Sequence, residues 1–153
     1  MRNWSLNHWG FDFGAFYDVG YKDLCFAVAI QNFSGDMKYW FEEFQMPLAL
    51  RMGLSMDIAR LFLDDNSQIE INTALDAIHP IDYTERIHVG LEFVYMKLLA
   101  LRAGYKFNYD VENFSVGVGI KFDYDGYIGS FDYAYNNAEY FGSVNRFTLN
   151  FAL

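Results

Sequence analysis

Residues 48–58 read Leu48-Ala49-Leu50-Arg51-Met52-Gly53-Leu54-Ser55-Met56-Asp57-Ile58. Every second position is large and apolar, and the positions between hold charges or very small side chains. A period of two is the mark of a β-strand, whose successive side chains point to opposite faces. The fold turns on which of the two faces meets water.

Working outward, the same alternation recurs in both directions. It covers Phe11–Val19, Leu24–Phe33, Gln68–Ile78, Arg86–Met96, Leu98–Phe107, Phe114–Phe122, Tyr127–Asn136 and Asn145–Leu153. That predicts about nine strands, most of them 9–12 residues long. Strands of soluble domains run nearer ~5–6 residues, whereas a tilted strand needs roughly 9–11 to cross a bilayer. The segment Met37–Met46 breaks the alternation and reads as a short helix or an aromatic loop. Tight connections at Tyr21–Asp23, Met96–Leu98 and Asp123–Gly126 alternate with long ones at Ser34–Met46, His79–Glu85 and Asn137–Val144. Short turns at one end and long loops at the other are the habit of up-and-down outer-membrane barrels.

Composition discriminates between the faces. The chain has 153 residues, enough for one domain over 1–153, and is 53% hydrophobic and 20% aromatic. The face opposite the apolar stripe is rich in Gly14, Ala49, Gly53, Gly90, Ala100, Gly104, Gly117 and Gly119. A water-facing wall has no need of such small residues, and glycine weakens strands. A crowded interior does need them. The charges of that face come in both signs, and Arg51, Asp57, His88, Glu92, Arg102, Lys106, Asp132 and Arg146 form a candidate polar network in a lumen. No charge interrupts the apolar stripe in mid-strand, where a Lys or Arg would cost roughly 2–4 kcal/mol at a bilayer midplane. Trp9, Tyr39, Trp40, Tyr95, Tyr127 and Tyr135 stand near strand ends, as aromatics of the membrane interface do. The expected fold is therefore all-β: an antiparallel up-and-down transmembrane β-barrel of about 8–10 strands, complete or partial. The competing expectation is a soluble β-sandwich binding module, with the apolar faces turned inward.

One hairpin permits a test of register. A three-residue loop at Met96–Leu98 sets Tyr95 opposite Leu99, Glu92 opposite Arg102, Gly90 opposite Gly104, and His88 opposite Lys106.

Several classes of chemistry are missing from the sequence. The net charge of -9 argues against nucleic-acid binding, which wants a basic face. The single Cys25 rules out an internal disulfide framework and a cysteine-rich zinc site. No metalloprotease, nucleophile-elbow, phosphate-loop or dinucleotide motif occurs, so no catalytic residue, metal or cofactor is expected. His88 reads as a hydrogen-bonding lumen residue beside Lys106, and Asp64-Asp65-Asn66 as a solvated turn that lacks the further ligands calcium requires. The N-terminal stretch has no apolar signal-peptide core. An odd strand count sets a further expectation, because single-chain bacterial barrels have even numbers. Either Arg2–Trp9 contributes to another strand, or the chain is part of a longer barrel.

The runs HPIDYTERIHVGLEF (His79–Phe93), LALRAGYKF (Leu99–Phe107), FSVGVGIKF, SFDYAY and FGSVNRFTLNF, with DFGAFYDVGYKDLCFAVAIQNF near the start, resemble the PorV/PorQ-type outer-membrane proteins. The likeness is to their C-terminal half. That family is related in shape to fatty-acid transporter barrels. The resemblance implies a non-enzymatic outer-membrane barrel of a Gram-negative, Bacteroidetes-like bacterium. It also implies a scaffold or carrier role in type IX protein secretion and surface attachment. The partners implied are the lipid bilayer and secretion-system proteins or exported cargo. A transport barrel for hydrophobic or small solutes is the alternative within the same architecture. Phe151-Ala152-Leu153 is similar to a barrel-assembly signal, with Leu where the last residue is usually aromatic.

Overall fold

The computed structural model describes residues 8–39, 42–64, 66–109, 113–124, 127–138 and 142–152. The strands are β1 (Phe11–Asp18), β2 (Cys25–Phe33), β3 (Met37–Tyr39), β4 (Glu42–Phe44), β5 (Ala49–Asp57), β6 (Ile69–Pro80), β7 (Arg86–Tyr95), β8 (Leu99–Phe107), β9 (Phe114–Tyr124), β10 (Tyr127–Ala138) and β11 (Gly142–Ala152). A 3₁₀ turn, Ile58–Leu61, follows β5. Nine of these strands form one antiparallel sheet in the order β1-β2-β5-β6-β7-β8-β9-β10-β11. Each neighbour in space is the next long strand in the chain, so the sheet is up-and-down. All nine alternating segments are strands of this sheet. Among the described residues the sheet is open: β1 pairs only with β2, and β11 only with β10.

The segment expected to be a helix or loop is instead the hairpin β3–β4, with Met37 opposite Phe44. Its aromatic and charged residues give no helical stripe to bury, and three-residue strands are too short to show alternation. The expected sorting of connection lengths also needs correction. At one end of the sheet the chain passes from β1 to β2, β5 to β6, β7 to β8 and β9 to β10, and at the other from β2 to β5, β6 to β7, β8 to β9 and β10 to β11. Thus the 58–68 connection is long among short turns. The expected long loop Asn137–Val144 is mostly strand, because pairing continues to Ala138 opposite Gly142.

Two of the tight turns are built without glycine. Lys22 and Asp23 have φ of 53° and 55°, and Met96 and Lys97 have 53° and 57°. The N–H of Leu24 donates to the carbonyl of Tyr21, and that of Leu98 to Tyr95. Positive φ at both central residues gives the right-handed twist that two-residue hairpins require. In β2, Asn32 also has a positive φ, 59°, at the point where the β1–β2 register slips. Its N–H donates to Asp12 and its side-chain amide to the carbonyl of Pro47. This bulge returns Phe33 to the apolar face beside Phe13.

Burial is inverted relative to a soluble domain. Leu101 is 48% exposed and Phe147 68% exposed. Met52, Leu54, Leu75, Leu91, Ile120 and Phe131, from the same stripe, are exposed too. Among the described residues, the buried apolar side chains are only Ala59, Ile78, Ala100 and Ala138. Ile78, at 7%, and Ala100, at 6%, belong to the opposite face, the one carrying the small and charged residues. Packing of apolar side chains within the chain therefore supplies little of the stabilisation expected of a domain this size.

Candidate functional site: the polar trough

The face opposite the apolar stripe encloses a trough of about 430 Å³ that reaches from β5 to β10. Its floor is one cross-strand row of minimal side chains: Ser55, Ala74, Gly90, Gly104 and Ser115. Gly90 stands opposite Gly104, Glu92 opposite Arg102, and His88 opposite Lys106. These are the pairs that the Met96–Leu98 loop predicts. The glycines are not equivalent. A Cβ at Gly90 would meet only Ala74 Cβ, at 3.9 Å, whereas one at Gly104 would come within 2.8 Å of Ser115 Oγ.

Arg102 dominates the wall of the trough. Its Nε donates to Glu92 Oε2 at 2.5 Å, and its Nη1 to Asp132 Oδ1 at 2.6 Å. Glu92 is on β7 and Asp132 on β10, so the second bond passes over β9. Glycine makes that passage possible. A Cβ on Gly119 would press into the Asp132 carboxylate and lie 2.9 Å from Arg102 Nη1. The chain of hydrogen bonds extends both ways. Asn72 Nδ2 donates to Glu92 Oε1 at 3.2 Å. On the other side Ser130 Oγ donates to Asp132 Oδ2 at 3.4 Å, and Asn150 Nδ2 donates to Ser130 Oγ at 3.0 Å. A polar belt thus runs across the trough from β6 to β11, with Arg102 as the cation that links its two carboxylates. Charge-assisted bonds of this kind are stronger and geometrically stricter than neutral ones.

The other residues of the expected lumen network lie elsewhere. Asp57 is 3% exposed and does not join the belt. Its Oδ1 accepts from the N–H groups of Ala59 and Ile71, both at 3.0 Å, so it caps the 3₁₀ turn and pins it to β6. Arg60 links Asp57 Oδ2, at 3.3 Å, to Asp23 Oδ2 in the β1–β2 turn, at 2.8 Å. Asp57, expected in the lumen network, is instead the last residue of β5 and the cap of the turn that follows. Arg146 stands opposite Ala134 on the edge strand β11 and is exposed. His88 and Lys106 lie beyond the trough on the same face, beside a residue the sequence reading missed, and Arg51 stands in the next cross-strand row.

That residue is Tyr109, in the connection after β8. Its hydroxyl lies 2.8 Å from His88 Nε2. The guanidinium carbon of Arg86 is 4.7 Å from its ring centroid, and Lys106 Nζ is 5.5 Å away. Arg86 also lies 5.6 Å from the ring of Tyr83. Nothing in the alternation singles out Tyr109, because it sits just past a strand. The available clue is the pair of tyrosines, Tyr83 and Tyr109, in connections at the same end as Arg86.

Of the expected interface aromatics, Tyr95, Tyr127 and Tyr135 lie on the apolar face. Tyr95 ends β7 and Tyr127 begins β10, both exposed at the same end of the sheet. Trp9, before β1, is exposed at the opposite end. Tyr135 is half-buried within β10. Tyr39 lies in β3, and Trp40 lies outside the described residues. Gly129 is on the apolar face as well, where the Phe122 ring lies over it and meets Phe151 edge-on, at 6.3 Å between centroids.

Comparison with protein-family models, with curated proteins and with solved structures finds no match. No described helix is long and apolar enough to cross a membrane, a criterion that does not bear on crossing by strands. Among the described residues, no cluster of His, Cys, Asp and Glu has the arrangement to hold a metal ion.

Proposed function

We propose that this sheet is the wall of an outer-membrane β-barrel, with its apolar stripe against lipid and its trough facing the lumen. The supporting observation is the inverted burial. The exposed apolar side chains lie contiguously along the strands of one face, and soluble monomers rarely leave more than a few hundred Å² of such surface together. No second sheet of comparable size covers that face among the described residues, which disfavours the soluble sandwich. Lipid is the covering that a continuous apolar band of long strands suits. Tyr95 and Tyr127 at one rim and Trp9 at the other fit interfacial anchoring.

Within that architecture, the resemblance to PorV/PorQ-type proteins supports a non-enzymatic scaffold or carrier role in type IX secretion and surface attachment. The trough of about 430 Å³ favours a second reading, passage of a hydrophobic or small solute. Co-purification of secreted cargo supports the first role, and solute flux into liposomes supports the second.

The membrane assignment is tested by refolding into lipid vesicles followed by flotation. The chain floats with the vesicles, and Leu101→Arg, on the lipid side, abolishes assembly at a cost of roughly 2–4 kcal/mol. Arg102→Leu, on the lumen side, assembles with a smaller loss. A chain that stays monodisperse without detergent, or equal folding yields for the two variants, would reject the assignment.

A further inference from the structure

We propose that the Tyr109 end of the trough face binds an oxyanion of the phosphate class. Two adjacent cross-strand rows build the site. One is Arg51–Ile78–Arg86, and the next is Gly53–Asp76–His88–Lys106. Three permanent cations and a histidine therefore share a patch three strand spacings wide, roughly 14 Å, with Arg51 and Arg86 two spacings apart. Asp76 is the one carboxylate in these rows. Such a concentration of positive charge stands out in a chain with a net charge of -9.

Arg86 is held by the faces of Tyr83 and Tyr109. A guanidinium stacked on rings keeps its in-plane N–H groups for an acceptor, in the fork geometry that matches phosphate. Among the described residues no carboxylate lies within ion-pair distance of Arg86 or Arg51. The nearby Glu85 faces His79, at 3.4 Å. Arg51 also lines a hollow of about 140 Å³ over β2, β5 and β6, bounded by Ala27, Ala29, Gly53, Asp76 and Ile78 and not by Arg86, His88 or Tyr109. The inference stands on Arg51, Arg86 and His88, and it does not depend on what covers the apolar face.

The test is calorimetric titration of the full chain, folded in zwitterionic detergent, with inorganic phosphate and separately with phenyl phosphate at constant ionic strength. One saturable site is expected. Arg86→Gln and Arg51→Gln each weaken it by about tenfold or more, as loss of a charge-assisted contact should. Asp76→Asn tightens it, and Arg146→Gln, away from the cluster, leaves it unchanged. Equal affinity for the two probes identifies the free ion as ligand, and tighter phenyl phosphate identifies a phosphate ester; either supports the site. Circular dichroism checks that each variant is folded, and Arg51→Gln, an exposed position, carries the test if Arg86→Gln does not fold. Absence of saturable binding up to about 10 mM, the range of the weakest specific affinities, overturns the proposal. So does unchanged binding in a folded Arg51→Gln chain.

Discussion

Arg102 reaches Asp132 across an intervening strand because residue 119 has no side chain. The ion pair and the glycine are one structural unit: β9 serves as the bridge deck, and Gly119 is the gap in its parapet. Gly119→Ala therefore drives a methyl group into the Asp132 carboxylate. The expected loss of stability is about 1–3 kcal/mol, the usual range for overpacking. Urea unfolding in lipid vesicles measures it. In an Asp132→Ala background the same substitution should cost clearly less, since contacting residues couple by roughly 0.5–3 kcal/mol. Equal costs in both backgrounds would refute the linkage.

The facing glycines of the trough floor should respond in opposite senses. Gly90→Ala finds only an ordinary contact with Ala74 and gains by restricting the unfolded chain, so stability holds or rises by up to about 1 kcal/mol. Gly104→Ala must displace the Ser115 hydroxyl and should lose stability. Urea midpoints of the two variants, measured side by side, decide it.

Asp57 supplies a different kind of cohesion. Asp57→Ala removes the acceptor for two backbone N–H groups and the inner partner of Arg60. Loss of such a cap costs roughly 0.5–2 kcal/mol. Hydrogen exchange should accelerate first at the amides of Ala59 and Ile71, with the β8–β9 amides unaffected. Uniform acceleration over the sheet would mean that the cap holds more than its own corner.

The β7–β8 turn offers a gain. Met96 and Lys97 adopt positive φ without being glycine or asparagine. Replacing the pair by Asn-Gly, the preferred type I′ sequence, should stabilise the hairpin by about 0.4–1 kcal/mol. A higher urea midpoint with unchanged slope is the expected readout, and a lower midpoint would contradict the turn geometry.

The strands were legible because an alternating pattern needs only one strand to be seen. The Glu92–Arg102 pair was legible because a three-residue loop sets the register of its own hairpin. Asp132 joining that pair was not, since its position depends on two further registers and on glycines whose effect is an absence. Tyr109 and the β3–β4 hairpin escaped for a related reason: both lie where the chain leaves the period-two pattern that made the rest readable. Asp57 carried the right polarity for the lumen and went instead to a cap, because a carboxylate at the end of a strand finds unpaired N–H groups closer than it finds a cation. The residue pairs Lys22-Asp23 and Met96-Lys97 gave no glycine signal, and the tightness of those two turns could be read only from the strands around them.

The count of nine long strands has a directional consequence. In an up-and-down sheet with an odd number of members, the first and the last point the same way. Rolled into a cylinder by itself, this sheet would meet along a seam of co-directional strands, where the hydrogen bonds slant and hold slightly less well. A cylinder with every seam antiparallel takes an odd number of additional strands between β11 and β1, whichever polypeptide contributes them.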